Sequence, residues 1–244
     1  MDRFSAPGID RVGVRVLLDA GQTRHLVRVR RVGQGDEIAL FDGEGIEAVA
    51  RFAGLDGGCA AAEVVSFRRV ESPVPVSITI ATAIPKGHRM ADLVRACTEV
   101  GVSGIRPMIA ARSVVRPELG GVNARWQRVA REAAKQSLRP CVPSIAPVAS
   151  FEEVAASAKD HALAVLADCS AGAAALKDVL AGRSRGERVL LVTGPEGGFT
   201  DAERDAASRA GMVAARLAAP VMRIETAAPA LCAVVVYAYT QADR

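Results

Sequence analysis

From residue 76 onward the chain alternates short β-branched or apolar runs with amphipathic stretches, a rhythm that few folds can satisfy. Runs at 76–83, 105–109, 163–167, 188–193 and 213–217 read as strands, and 123–138, 173–180 and 201–210 between them as helices. After the first strand, Met90, Leu93, Val94 and Cys97 recur at helical spacing and define one apolar face. Strands separated by helices build a parallel sheet covered on both sides, an α/β fold. The last helix is expected to begin only at Pro229, where the missing N–H of proline costs nothing. Leu231, Val234, Val235, Val236 and Tyr237 leave it apolar nearly all round, so it is expected to be buried.

The first seventy residues follow a different pattern. Runs at 12–18, 37–41, 46–52 and 61–67, separated by turns such as Asp42-Gly43 and Asp56-Gly57, predict a small β-rich module. Residues 24–31 break it, being basic on one side and apolar on the other, which suits contact with RNA as well as a solvated edge. Two prolines within 71–75 stop a helix or a central strand, so the boundary is placed there, giving domains 1–72 and 73–244.

The formal net charge of +4 is unevenly spread, because residues 86–139 hold eleven basic residues against Asp92, Glu99, Glu118 and Glu132. Such an excess suits a polyanion-binding surface, and equally a solvated helix face. No apolar run approaches the roughly 18 residues of a membrane span, and residues 1–5 lack a signal-peptide core, so a cytoplasmic protein is expected. The five cysteines form no CxxC pair, which speaks against a disulfide frame or a zinc site. His25, His88 and His161 are scattered, and neither GxSxG nor HExxH occurs, so a hydrolase and a metal centre are both poor readings.

The sharpest local signal spans 190–203, where an apolar strand enters the loop Thr193-Gly194-Pro195-Glu196-Gly197-Gly198 and then a helix with Thr200 and Glu203 at capping-box spacing. Open α/β sheets place ligands at the carboxyl ends of their strands, and glycines let a backbone approach one closely. Neither GxxxxGK[ST] nor GxGxxG is present, so a P-loop and a dinucleotide fingerprint are excluded. A second stretch, 217–227, reads Leu-Ala-Ala-Pro-Val-Met-Arg-Ile-Glu-Thr-Ala.

Together these stretches resemble the RsmE family of 16S ribosomal RNA uridine-N3 methyltransferases, of the SPOUT class, whose loops look like GPEGG(F/L)(S/T)xxE and LGxRILRxETA. Lys86, the run 98–102, Arg112-Ser113, the run 132–137 and Arg139 extend the likeness along the chain. Ala218, Pro220 and Ile224 depart from the usual Gly, Arg and Thr. The resemblance implies a C-terminal domain with a deep trefoil knot, a small PUA-like N-terminal β-barrel that binds RNA, and a homodimer acting on 16S ribosomal RNA of the small (30S) subunit, with no membrane or metal involved.

It also implies that S-adenosylmethionine is cradled by Leu166, Ala167, Thr193, Gly194, Pro195, Glu196, Gly197, Gly198, Leu217, Ala218, Val221, Met222 and Arg223. Arg223 would stabilise the uracil oxygens, unless it merely pairs with Glu225, and Glu196 or Glu225 would serve as base. Arg28, Arg30, Arg31, Lys86, Arg112, Arg116, Gln136 and Arg139 would lie against the RNA. The readings left beside it are another knotted methyltransferase, acting on a ribose 2′-hydroxyl or on guanine, and an RNA-binding assembly factor without chemistry.

Overall fold

The computed structural model describes residues 1–121, 124–217 and 220–241. Contacts divide the chain into two compact units, Met1–Pro73 with Ala134–Val142, and Val74–Ala133 with Pro143–Arg244.

In the first unit β1 (Arg3–Ser5), β2 (Arg15–Leu17), β3 (Glu37–Phe41), β4 (Ile46–Asp56) and β5 (Cys59–Arg69) form one sheet in the order β1-β3-β4-β5-β2. No pairing between the two edge strands closes it into a barrel among the described residues. β4 and β5 outrun the apolar runs that announced them, because register shifts at Val49/Ala50 and Phe52/Gly54 let the ribbon bend and continue. Phe4, Leu26, Ile38, Leu40, Phe52 and Val64 fill the core. The basic segment forms α1 (Ala20–Arg24), capped by Asp19, and then a π-helical stretch at His25–Arg30. Leu26 points inward while Val27, Arg28, Val29 and Arg30 stay exposed.

Arg139, expected from the sequence to lie against RNA, is instead buried. Arg139 is only 7% exposed, because residues 134–142 return into the first unit, where Val142 N–H donates to the Gly43 carbonyl at 2.8 Å and Arg3 donates to the Arg139 carbonyl. Burial lowers the pKa of the Arg139 guanidinium, and the side chain is not presented to a surface ligand.

Beyond residue 76 the elements are β6 (Ser77–Ala83), α2 (Arg89–Val100), β7 (Gly104–Ile109), α3 (Ala124–Gln136), β8 (Ser144–Ile145), β9 (Ala149–Ser150) and α4 (Phe151–Ala156). They continue with β10 (Leu163–Ala167), β11 (Ala174–Ala175), α5 (Leu176–Val179), β12 (Arg188–Thr193), α6 (Asp201–Arg209), β13 (Val213–Arg216) and α7 (Ile224–Gln241). The strands pair in parallel in the order β11-β13-β10-β12-β6-β7-β8, with β9 also on β7. β10 and β12 are buried along nearly their whole length, as strands covered on both faces must be.

The structure departs from the sequence reading in the last third of the chain. The stretch 173–180 holds a two-residue strand and a single helical turn, since Ala174 and Ala175 pair with Ala215 and Arg216 at the sheet edge. α7 begins at Ile224 and runs through Pro229. Placed in the second turn, this proline removes only the bond that the Glu225 carbonyl would otherwise accept. The helix is buried on one side, through Leu231, Cys232, Val235 and Tyr239, whereas Val234 and Tyr237 remain open.

Tyr239 is fully buried and its hydroxyl donates to Glu187 Oε2 at 2.5 Å. Burial first, and then the Glu187 carboxylate, raise the tyrosine pKa. A raised folded-state pKa means that this bond contributes its full stability below the ordinary tyrosine range near pH 10 and loses it as alkaline pH climbs toward the folded value. Tyr239→Phe is therefore expected to cost about 1.5–3 kcal/mol at neutral pH. In urea titrations the gap from the parent should narrow above pH 10; a gap that stays constant with pH contradicts the hydroxyl's role.

Candidate active site

The carboxyl ends of β10, β12 and β13 lie side by side, with Ala167 opposite both Thr193 and Ala215. Above this floor opens a cavity of about 640 Å³, within the range of small-molecule sites. Ala167, residues 193–198, Leu217, Val221, Met222 and Arg223 all line it, so the two stretches singled out in the sequence meet around one space. Leu166 does not; its side chain is 1% exposed and packs in the core with Val192 and Phe199. Ala218 lies outside the described residues.

The glycine loop is shaped as much by its own side chains as by any ligand. A Cβ built on Gly194 would meet Phe199 Cζ at 2.8 Å, so the glycine is needed for the ring to pack beneath the loop. Gly198 has φ +66, a left-handed conformation that side chains disfavour. Arg112 donates to the Gly197 carbonyl at 2.8 Å and braces the loop from the strand β7 side. Thr200 and Glu203 complete the expected capping box, and Glu203 also accepts from Ala111 N–H at 2.8 Å, tying α6 to the same segment.

Three features of the cavity bear on chemistry. The Thr193 Oγ1 is buried and has no partner among the described residues, a hydroxyl left for a ligand to satisfy. Asp168, the first residue after β10, is 8% exposed and receives Arg204 Nε at 2.7 Å. Burial pushes the Asp168 carboxyl up, but the Arg204 and Ser170 hydrogen bonds, the guanidinium charge and the Cys169 amide outweigh it and hold the pKa below the usual carboxylate value. Arg223 and Glu196 are exposed at the rim, and neither makes an ion pair among the described residues.

The two acids proposed as bases thus part company. Glu196 lines the cavity, whereas Glu225 does not; it faces Arg89 Nη1 at 3.5 Å with its Oε2 buried and unpartnered. Arg223 is accordingly not the partner of Glu225.

The remaining candidate RNA contacts divide by task. Arg28, Arg31, Lys86 and Gln136 are exposed, and Arg30 is exposed while pairing with Asp2 at 2.8 Å. Arg116 is drawn back onto the carbonyls of Ala110, Ala111 and Ser113. Asp168, Phe199 and Arg204 were not singled out in the sequence; only the position of Asp168 directly after a buried strand could have pointed to it.

The sequence profile of the RNA methyltransferase domain matches residues 71–236. The chain belongs to the RsmE family of RNA methyltransferases. The profile of the RNA methyltransferase PUA domain matches residues 18–63. The ribosomal RNA small subunit methyltransferase E of Synechocystis is 32% identical over 87% of this chain and 69% of its own length. That of Mycobacterium bovis is also 32% identical, over 88% and 84%. The Neisseria gonorrhoeae enzyme of the same name, solved bound to S-adenosyl methionine, superposes with a TM-score of 0.84 at 33% identity over 98% of both chains. A methyltransferase from Legionella pneumophila, also with bound cofactor, gives 0.86 at 27% identity over 97% of both.

Among the described residues no helix is long and apolar enough to cross a membrane, and no group of three or more His, Cys, Asp or Glu side chains could hold a metal ion.

Proposed function

We propose that this RsmE-family chain methylates N3 of a uridine in 16S ribosomal RNA of the small subunit, with S-adenosylmethionine as donor and as a homodimer. The observation that carries the reading is one cavity formed where residues 193–198, Leu217 and residues 220–223 meet over three strand ends. Its apolar walls, Leu217, Val221 and Met222, suit an adenine ring, while Thr193 Oγ1 and the loop amides suit the polar parts of an adenosyl ligand. The bound donor supplies a methyl group on a cationic sulfur.

The protein's share is position and charge. N3 of uracil must lose a proton as it becomes nucleophilic; Glu196, which unlike Glu225 lines the cavity and unlike Asp168 has no ion pair among the described residues, accepts it. Negative charge then grows on the flanking uracil oxygens, and Arg223 supplies the cation that meets it. Arg28, Arg30 and Arg31 of the first unit, and Lys86, Arg112, Arg116 and Gln136 further along, are the candidate RNA contacts, though Arg112 and Arg116 spend donors on backbone carbonyls. The open Val234 and Tyr237 of α7 suit a second subunit, and the deep trefoil knot belongs to the same reading.

Small subunits lacking the modification, incubated with purified protein and labelled S-adenosylmethionine, are expected to yield 3-methyluridine on nucleoside mass analysis. Label on a ribose 2′-hydroxyl or on guanine would move the chain to another specificity, and no label with no donor binding would make it a binding factor only.

A further inference from the structure

We propose that Asp168 and Arg204 form a reader for a zwitterionic amino-acid head, and that they recognise the methionine end of the donor; this rests on the function proposed above. The cavity is chemically lopsided. Leu217, Val221 and Met222 give it apolar walls, whereas Asp168 and Arg204 place one buried anion and one cation together in its lining.

The hydrogen-bond inventory shows what the pair has left to offer. A guanidinium has five N–H donors and a carboxylate about four acceptor sites. Arg204 Nε donates to Asp168 Oδ2 at 2.7 Å and Nη1 to Asp201 Oδ1 at 2.9 Å, while Nη2 stands 3.5 Å from Asp168 Oδ1. At least two Arg204 donors therefore remain. Asp168 Oδ1 is engaged by the Cys169 amide at 2.9 Å and Oδ2 by Arg204 Nε, so the one acceptor site left for an incoming ammonium is on Oδ2 and is shared with the Ser170 side chain. Asp201 is 98% exposed, so water screens its charge and the pair of buried Asp168 and half-buried Arg204 is close to neutral by itself.

A neutral pair with one acceptor site beside free donors complements a ligand that brings one charge of each sign. A lone anion or cation would leave one charge uncompensated in a partly desolvated place. An α-amino acid head fits, with its ammonium on Asp168 and its carboxylate on Arg204. The α6 N-terminus offers the carboxylate no alternative: the Glu203 amide is taken by Thr200 Oγ1, and the Thr200 amide and hydroxyl by Glu203. Of the donor's parts, only the methionine end carries such a head; the adenosine carries none.

The test is calorimetric titration of the full chain with S-adenosylmethionine, S-adenosylhomocysteine and 5′-methylthioadenosine, which keeps the adenosine and the thioether but lacks the head. The parent protein is expected to bind the first two at least tenfold more tightly than the third. The double variant Asp168→Asn with Arg204→Gln keeps both side chains polar and leaves neither charge of the pair alone. It is expected to weaken S-adenosylhomocysteine at least tenfold while 5′-methylthioadenosine stays within twofold, which also shows the cavity intact. Equal losses for both ligands would assign the pair to the ribose or to loop support, and unchanged affinities would leave it no role in recognition; either result overturns the inference. A parent protein that binds none of the three refutes the proposed function itself.

Discussion

Arg223→Ala is expected to lower kcat by about 10²–10³-fold while leaving the Kd for S-adenosylmethionine within twofold. That factor, about 2.7–4 kcal/mol, is what removal of one preorganised charge-stabilising donor costs where charge develops in a transition state. Arg223 lines the cavity at its exposed rim, and Glu225, the acid two residues away, is turned to Arg89 instead. The guanidinium is therefore held by no ion pair among the described residues and is free to meet a substrate. Arg223→Lys, which keeps a point charge without the planar fork, should recover part of the rate. Single-turnover kinetics with ribosomal substrate and calorimetry with the donor alone decide the matter. Parallel loss of donor affinity and rate would make Arg223 a cofactor-holding residue and remove it from the chemistry.

Gly194→Ala should be nearly as damaging, by a different route. The added methyl would come within 2.8 Å of Phe199 Cζ and 2.9 Å of Cε2. Phe199 cannot yield easily: it is 1% exposed and stands 5.5 Å from Phe151, ring to ring, inside the core beneath the loop. Overpacking of this kind costs about 1–3 kcal/mol, and the easier relaxation is for the loop to lift. Donor affinity is then expected to fall at least tenfold, together with a lower Tm. Gly198→Asn is the matching control, since nothing lies within 4 Å of its Cβ and Asn tolerates its φ of +66. A Gly194→Ala protein that melts and binds like the parent contradicts the packing account.

Much of the sheet was legible because its central strands carry unambiguous signals. β10 is an unbroken apolar run that stops at Asp168, and β12 holds four apolar residues, 189–192, between Arg188 and Thr193 with Gly194 beyond, so both strands are readable from the sequence. The edges were not legible. Ala173–Ala175 has helical composition, yet Ala174 and Ala175 pair with β13, because tertiary pairing outweighs a weak propensity. α4 went unread although Ser150 and Glu153 spell its capping box, since only six residues follow it. Pro229 has the sequence context of a helix start, yet α7 begins at Ile224 and runs through it.

The site divides in the same way. Residues 193–198 and 217–223 are contiguous motifs, and their types and order suffice to single them out. Asp168 and Arg204 are 36 residues apart and meet only because α6 passes the end of β10, a relation with no periodicity to betray it. Arg139 shows the converse: a basic residue in a basic stretch looks like surface until the return of 134–142 into the first unit buries it.

The floor made by Ala167, Thr193 and Ala215 joins strands that stand about two dozen residues apart in the chain yet side by side in space. Whatever settles on it touches all three at once, so no one of them can detach without losing the guest. Occupancy and global cohesion are thereby coupled: a ligand held at a hundred times its Kd adds about 2.7 kcal/mol against unfolding. For a working enzyme this makes the resting supply of small molecule a determinant of how long each copy survives heat and proteolysis.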